Sequence, residues 1–314
     1  MTRIYIVYTF AMSILIQMKT FASVLQFQKH FDTDEKCRLY LEQQRWGYTP
    51  ACPHCASTNV GRFKSDVRIF KCRERQCRKK FSVTVGTIYE NTKIPLTKWF
   101  LATYILTNHS KGISSHQLAS WLGITQKSAW FLNHRIREML TDKAPELLKG
   151  IVEVDETYVG GKQTGARRGP ADKAVVFGAV ERGGKAMIKH VPSSGVRVLI
   201  PEIHKNISPE ATIYSDQYGS YKSLKRRGYT HTTVNHSKLE FARGLVHTNT
   251  IEGAWAHFKL GIAAIYLGVS VKHLQLYCSE FEYRYNTKEM TDYERFTSWF
   301  GNCRGRVTYK KLIA

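Results

Sequence analysis

Acidic residues are scarce in this chain. Its 314 residues carry 25 Asp and Glu against 47 Lys and Arg, a formal net charge of +22. A surplus of that sign points to a polyanion as partner, most simply nucleic acid. A basic charge that only aids solubility is the plainer reading, and the motifs below weigh against it. Long hydrophobic runs are also missing. The most apolar early stretch, Ile4 to Ile16 behind Arg3, faintly resembles a signal peptide. It is too short for a typical membrane-spanning helix, and no small-residue cleavage site stands out. Everything downstream reads as cytosolic, with no membrane partner expected. Met18 is an alternative start, so nothing is built on residues 1–17. The seven cysteines are too few and too scattered for a secreted disulfide scaffold. No internal repeat or low-complexity block appears. With 43% hydrophobic and 12% aromatic residues, the chain folds rather than forming a disordered tail.

The chain reads as a multidomain α+β protein. Residues 1–50 form an N-terminal extension and helical lead-in, where Asp32 or Thr33 is a candidate helix cap. Residues 51–90 turn basic, β-prone and cysteine-bearing. Residues 91–145 are helical. Residues 146–290 alternate strands and helices: IVEVDETYV, KAVVFGAV, KAMIKHV and ATIYSD as strands, then VRVLIPEIHKNI, TNTIEGAWAHFKLGI and 271–286 as helices. Residues 291–314 are left as a tail.

Cys52 and Cys55 form a tight CxxC knuckle, and Cys72 and Cys77 follow as a slightly wider one. Four thiolates in two hairpins make a closed tetrahedral site for structural Zn²⁺, with no position left open for chemistry. His54 inside the first knuckle reads as a spectator. The cysteines are surrounded by Arg62, Lys64, Arg68, Lys71, Arg78, Lys79 and Lys80. A basic β-ribbon stapled by zinc suits nucleic acid.

Residues 113–139 read as two short helices around Gly123, a helix-turn-helix-like unit in which Thr125 caps the second helix. That helix is expected to offer Gln126, Lys127, Asn133, His134 and Arg137 to a DNA groove.

Three acids stand where a basic chain has little other use for them. Asp155 ends IVEVD, Asp216 ends ATIYSD, and Glu252 lies on the helix beginning near Thr250. Two strand-borne aspartates and a helix-borne glutamate can converge on a pair of Mg²⁺ ions, because hard divalent cations prefer oxygen ligands. Glu153 and Glu156 flank Asp155. They are expected on the opposite face of the strand, which leaves Asp155 as the ligand.

Several ordered blocks carry a resemblance: RWG at 45–47, CPHC at 52–55, FSVTVGTIYENTKIPLTKWF at 81–100 and SAWFLNHRIREML at 128–140. VEVDETYVGGK at 152–162, YSDQYGSY at 214–221, HTNTIEGAWAHFK at 247–259 and EFEYRYN at 280–286 continue it. The chain resembles DDE-type insertion-sequence transposases of the bacterial group with an N-terminal zinc ribbon and an ISXO-type catalytic domain. The resemblance implies a ribonuclease H-like α/β catalytic domain with a mixed sheet. In such a domain the first Asp lies on the first strand, the second after the fourth and the last acid on a following helix. Asp155, Asp216 and Glu252 occupy the matching positions and would hold two Mg²⁺ (or Mn²⁺) ions. The group varies at its third acid, where some members carry Asn; here Glu252 is taken as the ligand and Asn249 as its neighbour. The Cys72–Cys77 spacing is wider than the commonest two-residue one.

The implied chemistry is DNA cleavage and strand transfer on the element's terminal inverted repeats and target DNA, by a homo-oligomer assembled on DNA at the bacterial nucleoid. Lys162, Arg167, Arg168 and Lys173, behind Gly160 and Gly161, form a basic loop able to hold phosphates. His236, His247, Asn249 and Lys259 are further candidates for contacting DNA. Trp255, Phe258 and Tyr283 read as core. Tyr158, Tyr214, Tyr218 and Tyr221 lie near the acids, but the Arg/His pocket of a tyrosine recombinase cannot be assembled. The competing reading from another class is a catalytically inactive, transposase-derived regulator that binds DNA through ribbon and helices. A plain ribonuclease H-like nuclease leaves the N-terminal modules without a reason.

Overall fold

The computed structural model describes residues 21–160, 173–234, 242–244, 246–303, 305 and 307–313. They divide into two compact units. One comprises the described residues of Met1–His109, Ser115–Met139 and Glu289–Ala314; the other comprises those of Ser110–Ser114 and Leu140–Lys288. No helix among the described residues is long and apolar enough to cross a membrane.

The first unit opens with α1 (Val24–His30) and α2 (Asp34–Trp46). Ser23 and Thr33 cap them by accepting the backbone N–H of Gln26 and Lys36. A three-stranded antiparallel sheet follows, with β1 (Val60–Arg62), β2 (Phe70–Cys72) and β3 (Lys80–Phe81) in that order. Its core is Phe70 stacked on Phe81, with Trp46 from α2 edge-on to both. Next come α3 (Leu96–Asn108), α4 (Ser115–Leu122) and α5 (Gln126–Leu140). Gly123 joins the last two at φ +57°, a left-handed turn that favours glycine. Thr125 caps α5, its hydroxyl accepting the Ser128 N–H at 3.2 Å.

The described residues of 291–314, read from sequence as a tail, help build this unit instead. α9 (Asp292–Ser298) opens with a Thr291/Glu294 capping box. Its Phe296 is buried against Phe27, Phe31 and Phe100, and Tyr104 donates to Asp292 at 2.8 Å. α10 (Tyr309–Ile313) is short and ends the described chain. Here Phe296, Trp299 and Phe300 supply the apolar surface that a tail would lack.

The second unit is built on a five-stranded mixed sheet. Its strands are β4 (Ile151–Val159), β5 (Ala174–Glu181), β6 (Ala186–Val191), β7 (Thr212–Asp216) and β8 (Thr230–Val234), in the order β6-β5-β4-β7-β8. β4, β5 and β6 run antiparallel; β7 lies parallel to β4, and β8 parallel to β7. A small ribbon, β9 (Ala242–Arg243) and β10 (Val246–His247), precedes α7 (Asn249–Leu260); α8 (Val271–Asn286) follows it. One sheet face packs Val152, Val154 and Phe177 against α6 (Val196–Asn206) and the buried Tyr221, Leu224 and Tyr229. The other packs Val176, Val180 and Ile188 against Ile251, Trp255 and Phe258 of α7 and against α8. β5 is therefore buried on both faces, which explains its unbroken apolar run.

Candidate functional site

Neighbouring parallel strands put two of the three acids side by side. β4 and β7 pair with Ile151 opposite Thr212, Val152 opposite Ile213 and Glu153 opposite Tyr214. Continued two residues, that register sets Asp155 beside Asp216 on one face, since side chains alternate with a period of two. The face is the one α7 covers. Trp255 of α7 donates its indole N–H to Asp155 Oδ2 at 2.9 Å. Across the β4–β5 ladder Asp155 faces Gly178, where a Cβ would lie 2.6 Å from two indole ring carbons. Glycine there leaves room for the tryptophan that holds the aspartate.

Burial and neighbouring acids set the electrostatics around Asp155. Burial pushes the Asp155 carboxyl up to about 7, and the negative charges of Glu156 and Asp216 add to the rise. Glu156 is also raised, by burial and by Asp216, although Tyr221 donates to it at 2.6 Å. Asp216 Oδ1 accepts the Tyr218 N–H at 2.9 Å, which ties its side chain to the turn after β7. Glu252 is exposed in the first turn of α7 and accepts the Thr248 hydroxyl at 2.8 Å. The three acids do not crowd: among the described residues, only Cys52, Cys55, Cys72 and Cys77 gather all their ligand atoms within 4.8 Å of one another.

One expectation about this strand fails. Glu153 does not face away from Asp155. A strand repeats every two residues, so residues 153 and 155 share the α7 face, and only Glu156 points to the other side, toward Tyr221. Glu153 is wholly buried, and its carboxylate accepts the N–H groups of Thr250 and Ile251, the Thr250 hydroxyl and Arg182 Nε.

The cysteine cluster meets the requirements of zinc. Cys52 and Cys77 sulfurs lie 3.8 Å apart, and Cys55 and Cys72 sulfurs 3.6 Å. Tetrahedral Zn–S bonds of about 2.3 Å place neighbouring sulfurs about 3.8 Å apart. None of the four is in a disulfide. β2 and the two knuckles carry all four ligands, and the Phe70–Phe81 stack lies directly beneath them.

Comparison with known proteins agrees with this architecture. A family model described as the ISXO2-like transposase domain matches residues 147–286, and a transposase zinc-ribbon domain matches residues 32–80. An uncharacterised transposase-like protein of Haemophilus influenzae is 31% identical over 100 residues, which span 32% of this chain and 80% of that protein. An uncharacterised protein in transposable element ISH50 of Halobacterium salinarum is 28% identical over 280 residues, 82% of this chain and 92% of that protein. The chain belongs to the ISXO2-like insertion-sequence transposases.

In this transposase the residues expected to touch DNA fall into four groups. Lys127 is exposed at the start of α5, with its ammonium 4.9 Å from the Tyr309 ring centroid; Asn249 and Lys259 are exposed on α7. Asn133, His134 and Arg137 are a correction: they are 1%, 0% and 2% exposed and offer no side chain to a groove. Every residue of α5 from Leu132 to Arg137 is buried, so its polar residues line an interior helix rather than a free face. His247 is drawn inward, its Nδ1 2.9 Å from Arg182 and 3.3 Å from Glu153. Lys162, Arg167, Arg168, Gly161 and His236 lie outside the described residues. Sequence reasoning missed Arg182 and gave Glu153 and Trp255 no part in the site. Trp255 was read as core, and it is core at one edge of its indole and hydrogen-bonded to Asp155 at the other.

Proposed function

We propose that the chain is a DDE transposase that cleaves DNA at the ends of its insertion sequence and joins them to target DNA, with Asp155, Asp216 and Glu252 as its catalytic acids. The observation that carries this reading is the in-register pairing of β4 and β7: continued two residues, it sets Asp155, in the middle of β4, beside Asp216 at the end of β7, in a half-buried, electronegative spot covered by the helix that bears Glu252. Its support is also topological. The first acid is on the first strand of the five-stranded sheet, the second ends the fourth, and the third is on a following helix, the placement a ribonuclease H-like catalytic fold implies.

The donor set is all carboxylate oxygen, which suits Mg²⁺ or Mn²⁺. Two such ions, when bound, supply polarisation of an attacking oxygen and neutralisation of a departing one. The chain's own part is to hold the donors: Trp255 orients Asp155, the turn after β7 orients Asp216, and α7 presents Glu252. In the proposed reaction a water oxygen attacks phosphorus at the element's end and the P–O3′ bond breaks. The released 3′-hydroxyl then attacks phosphorus in a target phosphodiester; the new P–O bond joins the element's 3′ end to the target 5′-phosphate as the target's P–O3′ bond breaks and its 3′-oxygen leaves as a hydroxyl. No enzyme nucleophile is needed. The zinc ribbon and the exposed cations of a chain with net charge +22 would hold DNA, and working at two element ends implies an assembly of at least two copies on DNA in the bacterial cytoplasm.

The test is strand transfer on DNA carrying the element's terminal repeats, with and without Mg²⁺. Asp155→Asn, Asp216→Asn and Glu252→Gln should each lower the rate on the order of a thousandfold, because several kcal/mol of charge stabilisation rests on the ions they hold. Unchanged rates would refute the assignment of these acids, whereas DNA binding with no strand transfer by the unmutated chain would support the inactive regulator instead.

A further inference from the structure

Two glutamates among the described residues are wholly buried, Glu153 and Glu280; Glu280 pairs with Arg284 on its own helix, whereas Glu153 sits two residues from Asp155. The Glu153 carboxylate is fully engaged. Oε2 accepts the backbone N–H of Thr250 at 2.8 Å and of Ile251 at 3.0 Å. Oε1 accepts the Thr250 hydroxyl at 2.9 Å and Arg182 Nε at 2.6 Å. Arg182 in turn reaches the His247 carbonyl and Nδ1, both at 2.9 Å, at the end of the strand just before α7. A strand residue thus occupies the place of a helix cap. It accepts the first-turn N–H groups that α7 cannot satisfy internally and puts negative charge at the positive end of the helix.

A second clamp lies further along the same two elements, where Trp255 donates to Asp155. The spacings match. From Glu153 to Asp155 the strand climbs roughly 6.6 Å, at about 3.3 Å per residue. From the midpoint of Thr250 and Ile251 to Trp255 the helix climbs roughly 6.8 Å, at about 1.5 Å per residue. α7 therefore runs alongside β4 in the same direction, pinned at both ends of one short span. Glu252 falls inside that span, one residue past the Glu153 clamp and three before the Trp255 clamp.

Resting on the catalytic reading above, we infer that Glu153 is a positioning residue of the transposase: it sets the height of Glu252 against Asp155 by anchoring the first turn of α7 to β4. It touches neither ion nor DNA. Its neighbour two places on does the chemistry, and Glu153 keeps the partner acid within reach.

The experiment uses the full zinc-bound chain and Mn²⁺ alone as probe, with affinity read by the electron paramagnetic resonance of unbound Mn²⁺ and backbone order read by hydrogen exchange across 249–255. Glu153→Gln keeps the shape but puts an amide where one oxygen met donors. It should speed exchange in the first turn of α7 and weaken Mn²⁺ at least tenfold. That change also strands the Arg182 charge, so Glu153→Gln with Arg182→Met is the second variant; removing both charges should recover thermal stability and leave Mn²⁺ binding weak. Thr250→Val, which deletes only the hydroxyl contact, should weaken Mn²⁺ by a smaller factor with the fold intact. The inference is overturned if the double variant regains both stability and wild-type Mn²⁺ affinity, because Glu153 would then be only half of a buried ion pair. It is also overturned if both Glu153 variants fold and bind Mn²⁺ within twofold of wild type while Asp155→Asn and Glu252→Gln abolish binding; the catalytic reading then stands alone. If Asp155→Asn and Glu252→Gln themselves leave Mn²⁺ affinity untouched, the catalytic reading falls and takes this inference with it.

Discussion

Replacing Glu282 by Gln should make the protein more stable by an amount that grows as pH rises from about 4.5 to about 7. β6 is an edge strand, and α8 covers its outer edge with side chains rather than with another strand. Gln275 accepts the His190 N–H at 2.9 Å, Glu282 the Ile188 N–H at 2.7 Å, and Asn286 the Ala186 N–H at 2.7 Å. Positions 275, 282 and 286 fall on one helix face, and residues 186, 188 and 190 on one side of the strand. The arrangement satisfies backbone groups that would otherwise invite another strand. It also buries a carboxyl. Burial pushes Glu282 up to about 7 from an ordinary 4.5, with a small addition from Asp142, against the opposing pull of the Ile188 N–H. A carboxyl raised on folding holds its proton in the native state over a range where the unfolded chain has released it. Its penalty is therefore absent below 4.5, grows as pH rises toward 7, and is constant above. At ~1.4 kcal/mol per pH unit between the two values, the full cost is about 3 kcal/mol. Gln keeps an oxygen for Ile188 and has no charge to bury. Calorimetric melting of wild type and Glu282→Gln at pH 5 and pH 8 isolates the effect, because packing changes common to both cancel in the difference. The variant's advantage in Tm should be larger at pH 8 than at pH 5 by on the order of 5 °C, taking roughly 2–4 °C per kcal/mol for a unit of this size. An equal Tm change at the two pH values would refute the reasoning.

Three further outcomes follow from the same structure. Strong chelation, or Cys72→Ser, should release one zinc per chain and collapse the β1–β3 ribbon, seen as loss of exchange protection across residues 52–81 with the five-stranded sheet unaffected; a metal assay finding no zinc in fresh protein would contradict the site. Gly178→Val should cost on the order of 2–3 kcal/mol and remove strand transfer, because its Cβ would overlap the Trp255 indole and push it off Asp155; a variant with wild-type melting and activity would sink that account. Lys127→Ala should flatten the slope of log K for DNA against log salt by about 0.9 with no change in melting, whereas the buried Arg137→Ala should lower Tm and leave the slope alone; the reverse pattern would restore α5 as a groove-reading helix.

Much of this was legible in the residues. Short β-branched runs bounded by glycine marked β4 to β7. Helical spacing marked 271–286 to the residue, and Pro201 did not stop α6 from forming. The cysteine spacing named a metal site whose sulfurs do gather. Other features were hidden because they depend on partners far along the chain. Nothing local says that residues 291–314 bury Phe296 and Trp299, since an aromatic tail and an aromatic core element look alike until the other rings are placed. Nor does α5 announce which polar residues it buries. Asn133, His134 and Arg137 suit a groove by composition and are enclosed by packing. The adjacency of Asp155 and Asp216 is likewise invisible in the 60 residues between them; it follows from a parallel register that only the folded sheet sets.

Glu153 shows why the faces of a strand must be counted and not assumed. Set aside as a neighbour on the wrong side, it proves to share the face of Asp155 and to carry no exposure at all. A charge removed from water costs several kcal/mol unless hydrogen bonds and an opposite charge replace the lost solvation. A buried ion pair is weak evidence of a gain in stability, since apolar residues of similar volume often pack as well or better. The carboxylate is tolerated because four donors converge on it: three belong to the first turn of the helix that presents Glu252, and the fourth is Arg182, which also holds the strand leading into that helix. Where local reasoning discards an acid that the fold then surrounds with donors, the fold is using that acid to place something else. In this transposase, the thing placed is α7.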